Sequence, residues 1–309
     1  VDGLESVRLR PGQGVEEAVA AYEAMPGVLY AQPNYLKHAT NMPDDAMFED
    51  LWGMHNTGQT DGTRDADIDA PEAWEVTTGS SEVVIAVIDS GVDYHHPDLA
   101  GNIWTNPGEI PDNGIDDDGN GYIDDVHGWD AVNNEGDPMD DQGHGTHCAG
   151  TIGAVGNDGY GVVGVNWDVS IMAVKFLTAD GSGSVSDAVD AITYAVNAGA
   201  IISNNSWGGN EGFSQAMYDA VDYARQAGHV FVAAAGNGNA MGIGQNNDTA
   251  AFYPASFDLD NVISVAASDH NDHRATFSNF GPTTVDLAAP GVEILSTTRG
   301  NTYGVLSGT

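Results

Sequence analysis

From residue 83 onward the chain alternates short, continuously apolar runs with stretches whose apolar positions recur at helical spacing. Residues 83–88 (VVIAVI), 170–176, 200–203, 230–235 and 262–266 are runs of the first kind, which predict strands buried on both faces of a parallel sheet. Between them, Ser186 opens a helix that carries Val189, Ile192 and Val196 to a stop at Gly199. Ser214 opens another, with Met217, Ala220, Val221 and Ala224, that ends at Gly228. A small-residue apolar run from Gly143 to Ala154 reads as a buried helix. The pattern predicts an α/β fold: a mainly parallel central sheet, helices on both faces and right-handed crossovers. Ligands bind such sheets at the carboxyl ends of the strands, so chemistry is sought there.

The first part of the chain patterns differently. Residues 4–10 (LESVRLR) predict a strand, and Val15, Ala18, Val19, Tyr22 and Met25 a helix, which Pro26-Gly27 stops before a second strand at residues 28–31. This small α+β fragment, residues 1–40, is too short for a stable domain alone. Residues 37–45 read as a polar linker into a second domain, residues 41–309. Residues 44–79 show little periodicity and predict surface wrapping, with one short helix near Pro71 and Trp74.

Charge narrows the partners. Forty-six acidic against eight basic residues give a net charge of −38, which argues against nucleic acid or an anionic membrane surface. Aspartate-rich runs at residues 112–125 and 137–141 point to bound cations instead. Cys148 is the single cysteine, so no intrachain disulfide forms, and no apolar run reaches membrane-spanning length.

His144 stands between two glycines at the start of the small-residue helix. Taken alone it has three readings: a proton-transfer residue, a core or capping histidine, or half of a metal pair with His147. The strand ends add context. Asp89 closes the first apolar run and is placed to accept an imidazole Nδ1 hydrogen; Asn237 follows residues 230–235 and offers a carboxamide donor to an oxyanion. Residues 205–209 (NSWGG) follow another strand, and their glycines leave an edge open for an extended peptide. Separately, Asp116, Asp118, Asn120, Gly121, Tyr122 and Asp124 match the first half of an EF-hand calcium loop, with His127 where the closing glutamate belongs.

The motifs at residues 87–93 (VIDSGVD), 96–99 (HPDL), 143–150 (GHGTHCAG), 206–208 (SWG), 233–237 (AAAGN), 289–291 (APG) and 306–309 (LSGT) resemble, in order, the blocks of the subtilisin-like serine proteases, the subtilases of peptidase family S8. The resemblance covers residues 42–309 and implies a serine endopeptidase acting through an acyl-enzyme. In it Asp89 orients the histidine, His144 is general base and then general acid, and Asn237 donates to the oxyanion. Ser206, Trp207 and Gly208 form one wall of the P1 pocket, and Ala234 to Gly236 the other; Cys148 packs beside the histidine. The nucleophile of the family's Gly-Thr-Ser-Met-Ala motif is expected immediately after Thr309, so residues 1–309 alone are expected to be inactive. The resemblance also implies a Ca2+ site at Asp98, Asp158 and the carbonyls of Tyr160 and Val162, with Asp45 as a further contributor. Residues 15–35 resemble the second half of an inhibitory propeptide, a folding aid cut between residues 35 and 45. Polypeptide substrates and secretion follow by the same resemblance; the alternative is a subtilase-like binding or scaffold protein without catalysis.

Overall fold

The computed structural model describes residues 5–10, 12–33 and 42–309. The chain divides into two compact units, residues 1–40 and 41–309.

In the first unit the predicted helix forms as α1, Val15–Glu23, with Glu16 and Glu17 in its first turn, where they complement the helix dipole. The predicted strands do not form. Residues 5–10 and 28–33 carry no regular structure, and the former are mostly exposed. A strand exists only through the neighbour it pairs with, and among the described residues of this unit neither segment pairs with another. Leu4 and the expected cleavage positions up to residue 41 lie outside the described residues.

The second unit is built on seven strands: β1 (Gly79–Asp89), β2 (Gly128–Asp130), β3 (Asp168–Lys175), β4 (Ile202–Asn205), β5 (Val230–Ala234), β6 (Val262–Ser268) and β7 (Leu287–Pro290). Their order is β2-β3-β1-β4-β5-β6-β7, and every pairing is parallel. The helices are α2 (Ala70–Trp74), α3 (His144–Gly153), α4 (Val185–Asn197) and α5 (Gln215–Gln226). The strand period of two explains why β1 is apolar without a break over residues 83–88. Ile85 and Val87 pack with Ala149 of α3 on one face, while Ala86 and Ile88 pack with Ala191, Ile192 and Val221 of α4 and α5 on the other. Each fully buried Val or Ile contributes roughly 1.5–3 kcal/mol of transfer free energy.

Ser214 caps α5 as expected, its Oγ accepting from Met217 N at 3.3 Å. The cap of α4 is Ser184, not Ser186: Ser184 Oγ accepts from Asp187 N at 3.2 Å and Ser186 falls inside the first turn. Three-residue β2, half-exposed β7 and the antiparallel hairpin of β8 (Ile294–Thr298) and β9 (Thr302–Leu306) were not expected from the pattern.

β1 pairs with β3 on one side and β4 on the other, so the chain leaves its carboxyl end in both directions. Such a switch point opens a crevice above the strand ends, and Asp89 is the last residue of β1.

Candidate active site

Asp89 is fully buried, and both its oxygens face His144 Nδ1, at 2.8 and 2.9 Å. His144 is the first residue of α3, with its side chain 38% exposed, so the imidazole is anchored at Nδ1 while reachable from solvent. The sequence makes this approach possible at Gly145. A Cβ there would collide with Gly91 O and sit 3.1 Å from Asp89 Cβ, so a larger residue would push α3 off the β1 turn.

A second carboxylate fixes the helix start. Asp140, 1% exposed, accepts from Gln142 N (2.9 Å), Gly143 N (2.8 Å), Thr146 N (3.0 Å) and Thr146 Oγ1 (2.5 Å), meeting N–H groups that a helix leaves unpaired in its first turn. It also accepts from Ser90 Oγ at 2.9 Å, and Ser90 Oγ in turn accepts from Gly145 N at 3.0 Å. The turn bearing Asp89 and the turn bearing His144 are thereby bolted together. Lys175, the register partner of Asp89, extends the clamp: its buried ammonium donates to Ser90 O (3.0 Å), Leu177 O (2.8 Å) and Asp141 Oδ1 (2.7 Å). The acidic run at residues 137–141, expected to hold cations, thus spends Asp140 on a helix start and Asp141 on an internal ammonium.

Cys148 lies one helical turn after His144, its Sγ 3.9 Å from Nδ1. The Cys148 sulfur and the Asp89 carboxylate both favour the imidazolium, outweighing partial burial, and hold the His144 pKa above its ordinary value. His147 is not a metal partner of His144. Its Nε2 bonds Ile294 O at 2.9 Å, and burial pushes its pKa down.

Asn237 is exposed beyond β5 and is held on its acceptor side only. Its Oδ1 accepts from Thr309 N at 3.0 Å and Thr309 Oγ1 at 3.2 Å, and Thr309 Oγ1 accepts from Gly236 N at 3.1 Å. Buried Asn279 and Asn247 support the turn by donating to Ala235 O at 2.9 and 2.8 Å. Among the described residues Nδ2 of Asn237 has no acceptor, so the carboxamide can donate outward.

The two expected P1 walls are both at strand ends. Ser206 Oγ accepts from Asn204 Nδ2 at 3.0 Å, and the Trp207 ring meets Phe176 edge-on with centroids 4.6 Å apart. Gly208 and Gly236 both abut the ring of Phe252, a residue that sequence reasoning passed over. Ala234 is buried. The expectation of an open edge at both glycines of residues 208–209 is corrected at Gly209. That residue and Tyr253 exchange two backbone hydrogen bonds of 2.9 Å, so its edge is closed.

The two expected cation sites differ in how the structure assembles them. Asp45 and Asp98 are buried, and Asp45 Oδ1 and Asp98 Oδ1 each lack a hydrogen-bond donor among the described residues. Their other oxygens accept from Asn157 N (2.7 Å) and Val162 N (2.9 Å). Burial pushes the Asp45 pKa up to about 6 and that of Asp98 upward, and the charge of exposed Asp158 adds to both; Tyr160 N donates to Asp158 Oδ1 at 2.9 Å. A buried orphaned oxygen on each of Asp45 and Asp98 fits a divalent cation, whereas exposed Asp158 is not gathered with them into a converging cluster among the described residues.

In the aspartate-rich loop, Asp118 is gathered with Glu109 and Asp125, whose ligand atoms all lie within 4.8 Å of one another. Asp116 instead turns its carboxylate to Gly119, Asn120 and Gly121 N–H groups, which lower its pKa, and Asp124 accepts from Asn113 and Gly114. Asn120 Nδ2 reaches Asp118 and Asp125 at 3.2 and 3.1 Å, and the Tyr122 hydroxyl points to Asp190. The carboxylates of Asp116, Asp118 and Asp124 therefore do not converge as the half EF-hand spacing suggested.

Comparison with known proteins agrees with this architecture. The sequence model of the subtilase family, peptidase S8, matches residues 80–309. A thermophilic serine proteinase of Bacillus sp. (strain AK1) is 42% identical over 296 residues, covering 96% of this chain and 63% of the relative. Thermitase of Thermoactinomyces vulgaris is 41% identical over 242 residues, 78% of this chain and 74% of that protein. Among solved structures, a cold-adapted subtilisin-like serine proteinase matches with a TM-score of 0.54 at 30% identity, covering 73% of this chain and 69% of that one.

Proposed function

The chain belongs to the subtilase family, and from that premise we propose that the protein is a serine endopeptidase in which Asp89 and His144 form the proton-transfer pair. The single observation that carries the reading is the bond from His144 Nδ1 to a fully buried Asp89 at 2.8 Å. That bond fixes the tautomer with Nδ1 protonated and leaves Nε2 to take a proton from a nucleophile and return it to the leaving amine. The nucleophile is assigned to the residue that follows Thr309 in the full-length protein. Thr309 N and Oγ1 both bond Asn237, so the next residue begins beside the proposed oxyanion donor. Ser206 to Gly208 and Ala234 to Gly236 are assigned to substrate binding.

Asp45, Asp98 and Asp158, with the carbonyls of Tyr160 and Val162, are assigned to a Ca2+ ion, supported by the two orphaned oxygens. The ion would neutralise charge that burial otherwise makes costly, a role in stability and not in the reaction. Asp118, Glu109 and Asp125 are the residues of the aspartate-rich loop best grouped for another; Asp116, Asn120, Tyr122 and Asp124 shape that loop. Residues 1–40 are assigned to an inhibitory propeptide and the mature enzyme to the extracellular space. No helix among the described residues is long and apolar enough to cross a membrane.

The test is pre-steady-state hydrolysis of an activated ester by the full-length protein. A stoichiometric burst that disappears in His144→Ala is expected from an acyl-enzyme. A full-length protein that binds peptides and shows neither burst nor turnover would leave the scaffold reading in its place.

A further inference from the structure

We infer that Phe252 closes the P1 pocket and makes the protein selective for small P1 side chains such as glycine and alanine. This inference rests on the protease reading above and deepens it. The ring lies between the two proposed pocket walls and meets each through different ring atoms. A methyl group at Gly208 would collide with Cε1 and sit 3.0 Å from Cζ, whereas one at Gly236 would sit 3.0 Å from both Cδ2 and Cε2. Gly208 leaves room for the ring on one side; Gly236, where a φ of +107° and Asn279 Nδ2 also call for glycine, borders it on the other, and the ring takes up the width between them.

The backbone that carries the ring is anchored on both sides of Phe252. Phe252 N donates to Ser256 Oγ at 3.0 Å and Ser256 N donates to Phe252 O at 2.9 Å. The next residue, Tyr253, exchanges two 2.9 Å bonds with Gly209, one position beyond the first wall. Phe252 also packs against the main core cluster, so withdrawing the ring from the slot would disturb apolar contacts. A substrate side chain entering between Gly208 and Gly236 meets an aromatic face soon after its Cβ. One surplus methylene in an apolar pocket already costs about 10–200-fold in kcat/KM, and a benzyl group carries far more volume.

The experiment uses the full-length protein and peptides that differ only at P1, with a small fluorophosphonate probe as reference. The expected result is labelling by the probe and a kcat/KM for alanine at P1 at least about 100-fold above that for phenylalanine. In Phe252→Ala the phenylalanine-to-alanine ratio should rise by about tenfold or more, and in Phe252→Leu by less. Labelling together with equal cleavage of both peptides by the wild type overturns the inference while leaving the protease reading intact. An unchanged ratio in a folded Phe252→Ala overturns it as well. If that variant does not fold, the wild-type ratio and Phe252→Leu decide. Failure of labelling removes the protease reading and this inference with it.

Discussion

The backbone N–H of Thr309 donates to Asn237 Oδ1 at 3.0 Å, which turns the amide of Asn237 so that its Nδ2 faces away from Thr309. A donor fixed before the reaction needs no reorganisation when charge develops on the substrate oxygen. Asn237→Leu, similar in volume but without a donor, should therefore lower kcat about 10²–10³-fold and leave KM nearly unchanged. A steady-state comparison of the full-length proteins checks this. A loss confined to KM would mean that Asn237 binds substrate in its ground state.

The pH dependence follows from what surrounds His144. The Cys148 sulfur and the Asp89 carboxylate raise its pKa, and only the neutral imidazole can accept a proton. Activity should accordingly rise with pH through an apparent pKa above the ordinary value of about 6.5. Cys148→Ala removes the larger influence and should move that limb to lower pH. A limb that stays in place would assign the shift to Asp89 alone. The same raised pKa has the opposite sign for stability: its contribution is fully present below the unfolded value and is lost as pH rises through the folded one.

Cation removal addresses Asp45 and Asp98. An ion bound at about 100 times its Kd stabilises the folded state by about 2.7 kcal/mol. For a domain of this size that corresponds to roughly 5–10 °C in Tm. Excess EDTA should lower the Tm of the full-length protein by about this amount, with recovery on adding Ca2+. Asp98→Asn should blunt the response to EDTA, whereas Asp116→Asn should leave it largely intact, since Asp116 is engaged by backbone N–H groups of its own loop.

How much of this was legible in the sequence depended on the range of the interaction. The apolar run of β1 and the histidine between glycines announced themselves because burial on both faces and close backbone approach each leave a local mark. Ser184 and Ser186 could not be told apart, because both are good caps two residues apart and only the backbone geometry chooses between them. Asp140 was hidden among neighbours of the same type: its use by the first turn of α3 depends on Ser90, fifty residues earlier. Glu109 went unnoticed because the loop pattern starts at Asp116, while Glu109 accepts from the N–H groups of Asp117, Asp118 and Asp124 across the turn. Phe252 looked like an ordinary aromatic residue, and only the fold brings it between glycines 208 and 236. At residues 4–10 and 28–31 the strand pattern is present in the sequence without a described partner strand.

The most direct test of the account is active-site labelling of the full-length protein with a fluorophosphonate, followed by mass spectrometry of the modified peptide. One label per molecule is expected, on a serine that directly follows Thr309, with loss of labelling in both His144→Ala and Asp89→Ala. Labelling at another position, or labelling that persists without His144, would contradict it.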